Sequence, residues 1–406
     1  MTYRPIRVSD RIPALDQFRG VAVLAVFLYH CFGLSFHPTW INWVGMFRNW
    51  DVPKSFLALV PLCLGWAGVA IFFVVSGFCI RLAHIKSASA GWKAFAIRRF
   101  WRIYPPYFVA LIGFAFFYRY TRLSFTGPHH GFFDWAQLGS HLLLVHNVDP
   151  RSFYGINGAF WSIAVEVQLY LLYPVLDWLV RRWGWSKVIG AIGVIEVSLR
   201  FAMTVAGEEA PTGQMATGLV PGWLAASPLA YWFSWSIGAW LADARSHGDR
   251  LPFARQSGWI WATLFVVSYF VRPLIAFSFL FAAMTSVVVL ARILARQDSG
   301  EPGRNTGGNN STQIGNALAA IGAVSYSMYL LHQPMLMAVA PAWQKIAPAL
   351  AGQPKYLFLA MLGMGALVIA ASWLFFRWIE QPCIAIGRKL TNAHASGHLK
   401  QELTPQ

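Results

Sequence analysis

Apolar stretches long enough to cross a hydrocarbon layer recur from Leu15 almost to the end of this 406-residue chain. A bilayer core about 30 Å thick takes roughly 20 helical residues. Spans are expected at about 15–36, 57–80, 103–119, 159–180, 188–206, 223–242, 258–272, 274–291, 316–341 and 356–376. The predicted fold class is therefore all-α, a polytopic membrane helix bundle of about ten transmembrane helices. Composition agrees, because 57 % hydrophobic and 12 % charged residues, with 20 Trp and 31 Phe, lie outside the range of soluble domains. No large soluble domain fits between the spans. Residues 1–390 read as one membrane domain and 391–406 as a cytoplasmic tail.

A net charge of +16 invites a nucleic-acid reading, but the Lys and Arg sit in short loops and form no continuous basic face. The expected surroundings are membrane lipids, with no nucleic acid. Alternate loops carry most of the positive charge, as the positive-inside bias requires, which puts both termini in the cytoplasm. The segment "WAQLGSHLLLVHNV" from Trp135 is short and polar. Counting it as a span would move Arg181, Arg182 and Lys187 outside, so it is expected on, or dipping into, the outer face. The first span, with an internal Arg and no small-residue cleavage site, reads as a retained anchor. Cys31, Cys63, Cys79 and Cys383 form no Cys-x-x-Cys pair, which predicts free thiols and no metal site. The Gly-, Asn- and Ser-rich stretch from Arg296 to Gln313 reads as a flexible link.

Charged side chains cost about 2.5–3.5 kcal/mol at the bilayer centre, so the few present are candidate functional groups. Arg19 and His30 are eleven residues apart, about three helical turns and about 16 Å, on one face of the first span. In the fourth span, Glu166 is followed at helical spacing by Tyr170 and Tyr173; in the ninth, Ser325, Tyr329 and His332 stack similarly. His and Glu on several helices suit proton transfer, while any one alone could simply bond a neighbouring helix. Glu196 and Arg200, four apart, predict an intrahelical ion pair. Arg98, Arg99 and Arg102 precede a span opening with Tyr104, Pro105 and Pro106. They suit either topology or the clamping of a polyanion such as a phosphorylated cofactor. Ser76 and Gly77 in "AIFFVVSGFCI" permit close helix approach or passage of a thin ligand.

Taken together, these motifs resemble acyltransferase family 3 of integral membrane proteins. The resemblance rests on Arg19 and His30, on Phe72, Phe73, Ser76 and Gly77, and on Arg99-x-x-Arg102 with Ile103, Tyr104 and Pro105. It continues through Trp161, Ser162, Glu166 and Gln168, then "SYSMYLLHQP" and "IEQP". It implies a bacterial cytoplasmic (inner) membrane enzyme using acyl-coenzyme A, in most cases acetyl-CoA, to acylate hydroxyls of a surface or secreted polysaccharide or lipopolysaccharide. Arg99, Arg102, Arg19 and Ser76 would then face the donor. His30 would act as general base or transient acyl carrier, with Glu166 as its partner. Tyr170, Ser325, Tyr329 and His332 would line the substrate cavity.

Two departures matter. Some members carry an extracytoplasmic esterase-like domain after the last span, whereas this chain runs only about thirty residues further and is expected to work alone or with a separate polysaccharide-assembly partner. Many also read Glu-Glu after the Trp-Ser of the fourth span, where this chain has Glu166, Val167 and Gln168. A proton-coupled transporter is a competing reading, disfavoured by the lack of an internal repeat and by the Arg-x-x-Arg site. A small, macrolide-like acceptor is another. Acceptor choice would reside in loops 36–56, 119–158 and 207–222, whose region holds Trp40, Trp43, Trp50, Trp135 and, just beyond, Trp223. These would stack on sugars or anchor at the interface.

Overall fold

The computed structural model describes residues 12–36, 54–86, 91–121, 132–149, 152–153, 155–205, 224, 226–298, 309–350 and 353–402. Among them there is no strand. The helices are α1 (Pro13–Phe36), α2 (Ala67–Lys86, entered through a 3-10 helix at Lys54–Trp66), α3 (Gly91–Thr121) and the short α4 (Phe132–Leu142). Next come α5 (Phe160–Trp183), α6 (Trp185–Val205), α7 (Trp232–His247), α8 (Gly258–Phe270) and α9 (Ser278–Asp298). The last are α10 (Asn309–Ala323), α11 (Ser325–Ala349), α12 (Pro354–Phe375) and α13 (Gln381–Glu402), the final two joined by a π turn at Phe376–Glu380.

Among the described residues six helices are long and apolar enough to cross a membrane, or seven if one bent pair counts as a single span. Two of the expected spans are shorter as helices: 223–242 gives α7, with 16 residues, and 258–272 gives α8, with 13. Pro228 and Pro273 open 3-10 turns there, because proline cannot donate into a preceding helical turn. The ninth span, expected as one helix over 316–341, is broken at Val324 into α10 and α11, bent by 74°. The stretch read as a flexible link is helical at both ends, through Asp298 and from Asn309. Its middle, and Trp40, Trp43, Trp50 and Trp223, lie outside the described residues.

Small residues bring the helices that frame the site into backbone contact. A Cβ at Gly77 of α2 would overlap the Trp235 carbonyl of α7, and one at Gly238 would overlap the Val74 carbonyl. Here Gly77 serves packing. Gly20 and Gly322 do the same where α1 crosses α10. The break at Val324 lets α10 lie on α1 while α11 turns its polar face inward.

Two buried ionic clusters tie the bundle. Arg200 donates to Glu196 (2.8 and 3.0 Å) and to the Ala230 and Ala276 carbonyls (2.7 and 2.6 Å), and Ser234 Oγ donates to Glu196 at 2.6 Å. The expected ion pair thus forms and also bridges neighbouring segments. Arg81 reaches Asp177 (2.5 Å) and Asp243 (2.6 Å), joining α2, α5 and α7.

The segment around Trp135 comes down beside α5. Tyr104 and Tyr107 donate to the Leu142 and His141 carbonyls (3.0 and 2.8 Å). Asn147 and Gln168 exchange amide hydrogen bonds of 3.0 and 2.8 Å. Gln168 lies eight residues into α5, about 12 Å from that helix's start, so the segment packs along the side of α5. His141 and His146 stack in parallel within it, 3.9 Å apart and both buried.

Candidate active site

One cavity of about 90 Å³ lies between α1, α2, α3, α5 and α11. Its basic end holds Arg19, Arg99 and Arg102, with Cys79 beside them. Further in, Ser76, Glu166 and Tyr170 line it. Phe72, Ser162, Ser325, Tyr326 and Tyr329 complete the wall. Eight residues expected at the site from sequence therefore converge on one space: Arg19, Ser76, Arg99, Arg102, Glu166, Tyr170, Ser325 and Tyr329.

The three guanidinium groups differ in their partners. Arg19 donates to Asp16 Oδ1 at 3.2 Å and to Cys79 Sγ at 3.0 Å. Arg99 rests over the Phe95 ring at 5.7 Å. Among the described residues neither Arg99 nor Arg102 forms a salt bridge, although the buried Glu380 carboxylate lies within electrostatic reach of Arg102. Two adjacent half-buried cations without a salt-bridge partner, on the wall of a cavity, are suited to receive an anion.

A directed hydrogen-bond chain ends at Glu166. Trp235 Nε1 donates to Ser76 Oγ at 3.2 Å, Ser76 Oγ lies 3.1 Å from Tyr170 OH, and Tyr170 OH donates to Glu166 Oε1 at 2.5 Å. The indole can only donate, which leaves the Ser76 proton for Tyr170 and the Tyr170 proton for the carboxylate. One carboxylate oxygen is thereby fixed, and the other is left to accept from whatever fills the cavity.

His30 and His332 stand behind this wall, against each other. His332 Nε2 is 3.3 Å from His30 Nδ1, with ring centroids 5.0 Å apart. The tautomers follow from the partners. His332 Nδ1 faces the Tyr329 and Met328 carbonyls (2.8 and 3.2 Å), which only accept, so it carries the proton and Nε2 keeps its lone pair. His30 Nδ1 faces that lone pair and the Val26 carbonyl (2.9 Å), so it too is protonated. The lone pair of His30 is then on Nε2. His332 is fully buried and His30 half-buried. Tyr329 separates the pair from the cavity: it packs on Phe72 (5.5 Å) and His332 (5.4 Å), and its hydroxyl lies 2.6 Å from Ser162 Oγ.

The ring partner of His30 is thus His332, whereas Glu166, expected in that role, bonds Tyr170. Sequence reasoning also passed over Cys79, Tyr326 and Trp235. Cys79 follows Ser76 by one turn and so shares its face; nothing in the sequence joins Trp235 to Ser76. Glu380 of "IEQP" is buried and accepts from Ser327 Oγ at 2.6 Å, holding the π turn against α11. The four cysteines are free, and the described residues contain no cluster of three or more His, Cys, Asp or Glu suited to a metal.

An acyltransferase-domain profile matches residues 12–378. Acyltransferase MdmB of Streptomyces mycarofaciens is 27 % identical over 93 % of each chain. Peptidoglycan O-acetyltransferase OatA of Listeria monocytogenes is 25 % identical over 93 % of this chain, which spans only 57 % of that protein's length. Nodulation protein 10 of Rhizobium leguminosarum is 32 % identical over 41 % of this chain and 46 % of its own. No solved structure matches this chain. The chain that carries this cavity, with a histidine pair behind its wall, is therefore a membrane protein that belongs to acyltransferase family 3 and is an acyltransferase enzyme.

Proposed function

We propose that the protein is an integral membrane O-acetyltransferase that moves acetyl from acetyl-CoA to hydroxyls of a cell-surface or secreted glycan. The carrying observation is the pair of arginines without a salt-bridge partner, Arg99 and Arg102, on the cavity that Glu166, Tyr170 and Tyr329 also line. Phosphates of the donor suit two guanidinium groups one helical turn apart. Arg19, already held by Asp16, adds positive potential at the same end. A relative named as a peptidoglycan O-acetyltransferase supports the glycan hydroxyl as acceptor.

In this reading His30 is the general base. Its Nε2 removes the proton of the acceptor hydroxyl as that oxygen attacks the thioester carbonyl. The C–O bond forms, the C–S bond breaks, and the departing sulfur takes a proton from the imidazolium. The positive ring is steadied at Nδ1 by the Val26 carbonyl and by His332 Nε2. Tyr329 lies between donor cavity and base, so the thioester must reach past it. Glu166 offers an acceptor oxygen to the donor's amide arm. Ser325 is a further contact on the cavity wall.

The proposed setting is the bacterial inner membrane, with ten spans, both termini cytoplasmic, residues 1–390 as the membrane domain and 391–406 as a tail. The donor end would open to the cytoplasm and the half-exposed edge of His30 to the other side. The test is thioester loss from acetyl-CoA by purified protein in nanodiscs, with and without a hydroxyl-bearing glycan. Glycan-dependent turnover that disappears in His30→Ala is the expected result; failure of the wild-type protein to bind or consume acetyl-CoA would overturn the reading.

A further inference from the structure

The arginine end of the cavity continues into an aromatic surface that the transfer step does not use. Trp92, Phe95, Arg99 and Arg102 are spaced by three, four and three residues along α3, which places them on one face. The Trp92 indole lies nearly flat on the His84 imidazole, centroids 4.5 Å apart and planes 28° apart. It meets Phe95 and Tyr173 edge-on at 5.7 and 5.6 Å. Arg99 sits over the same Phe95 ring. Phe95 and Tyr173 are buried, whereas Trp92 keeps 37 % of its surface exposed. Behind it, His84 Nε2 is 3.8 Å from Asp177, which Arg81 and Arg181 also hold.

A tryptophan that merely anchors a helix at the bilayer interface needs no such backing. Here a large aromatic ring is fixed by a second ring and an ionic network, and it lies on the same α3 face as two arginines that form no salt bridge. Seven residues separate Trp92 from Arg99, about 10 Å along the helix, a span suited to a nucleoside between a stacked base and its phosphates.

We propose that Trp92, backed by His84, is the adenine platform of the donor site: the nucleobase of acyl-CoA stacks on the indole while its phosphates engage Arg99 and Arg102. This rests on the reading of the donor as acyl-CoA. It assigns the preference for a nucleotide-bearing donor to the outer end of α3, away from the reacting atoms.

The test compares acetyl-CoA with acetyl-phosphopantetheine, which lacks the adenosine part. Trp92→Ala should raise KM for acetyl-CoA about 5- to 150-fold, the range for loss of one base–aromatic stack. It should leave kcat, and KM for acetyl-phosphopantetheine, unchanged; Trp92→Phe should retain most of the preference. Equal effects on both donors, or none on either, would overturn the platform while leaving the donor reading intact. Wild-type protein inert toward both donors would overturn the two together. A second measurement needs no variant: adenosine 3′,5′-bisphosphate should inhibit the wild type competitively and far better than inorganic pyrophosphate. Equal potency would mean that charge alone is recognised and would remove the platform.

Discussion

His332 Nε2 lies 3.3 Å from Nδ1 of His30, and the carbonyls at Val26, Met328 and Tyr329 fix which nitrogens carry protons. The pair leaves His30 Nε2 as the available base, and it makes a graded prediction. General base catalysis contributes about 10²–10⁴-fold, so His30→Ala should lower kcat by about that factor at unchanged membrane abundance. His332→Ala removes only the group steadying the imidazolium and should cost less. Because neither touches the phosphate end, KM for acetyl-CoA should hold in both. Steady-state kinetics in nanodiscs read all of these, and an active His30→Ala enzyme would remove His30 from the chemistry.

Arg99 and Arg102 should behave in the opposite way. Hydrogen bonds to charged groups are worth about 1.5–3 kcal/mol, so either alanine variant should raise KM for acetyl-CoA about 10- to 150-fold with kcat little changed. Arg19→Ala should weaken donor use less, since Arg19 is partly neutralised by Asp16. Donor titration of the three variants is the measurement. Equal KM values in Arg99→Ala and wild type would return Arg99 to a topological role.

Much of this site is legible in the sequence because helical spacing needs no partner to be seen. Arg19, Glu166, Tyr170, Ser325 and Tyr329 each stand on the polar face of an apolar run, and all reach one cavity. Pairing between helices is a different matter. His30 and His332 are 302 residues apart, and nothing in either run says that His332 rather than Glu166 meets His30. Arg81 looks like one more cytoplasmic charge until Asp177 and Asp243 are brought to it by α5 and α7. The bend at Val324 leaves no hydropathy signal, because apolar residues continue through it, and the close crossing at Gly20 and Gly322 that it permits is a contact between distant segments.

Cys79 offers a reporter of donor occupancy that does not depend on turnover. It lines the arginine end of the cavity, whereas Cys31 and Cys63 are buried. In a Cys383→Ser background, a small maleimide should label Cys79 as the accessible thiol. Coenzyme A should slow that labelling, and Arg99→Ala should shift the protection to about 10- to 150-fold higher coenzyme A concentration. Mass spectrometry of the labelled peptide checks it. Labelling indifferent to coenzyme A in the otherwise intact protein would mean that the donor does not occupy this end.

The Glu196–Arg200 pair predicts a stability effect separate from catalysis. Both side chains are fully buried, and Arg200 is also held by the Ala230 and Ala276 carbonyls, with Tyr231 and Phe279 rings 5.6 and 5.4 Å away. Removing one partner of a buried pair leaves an uncompensated charge and costs about 3–5 kcal/mol, while replacing both by apolar residues of similar volume is often neutral. Glu196→Leu should therefore lower the thermal unfolding midpoint sharply and reduce yield. Glu196→Leu with Arg200→Met should recover much of that loss, though not all, because the two carbonyls and Ser234 lose their partners. Neither residue lines the donor cavity, so the double variant that folds should keep its KM for acetyl-CoA. A single variant as stable as wild type would show that the pair is not holding α6 to its neighbours.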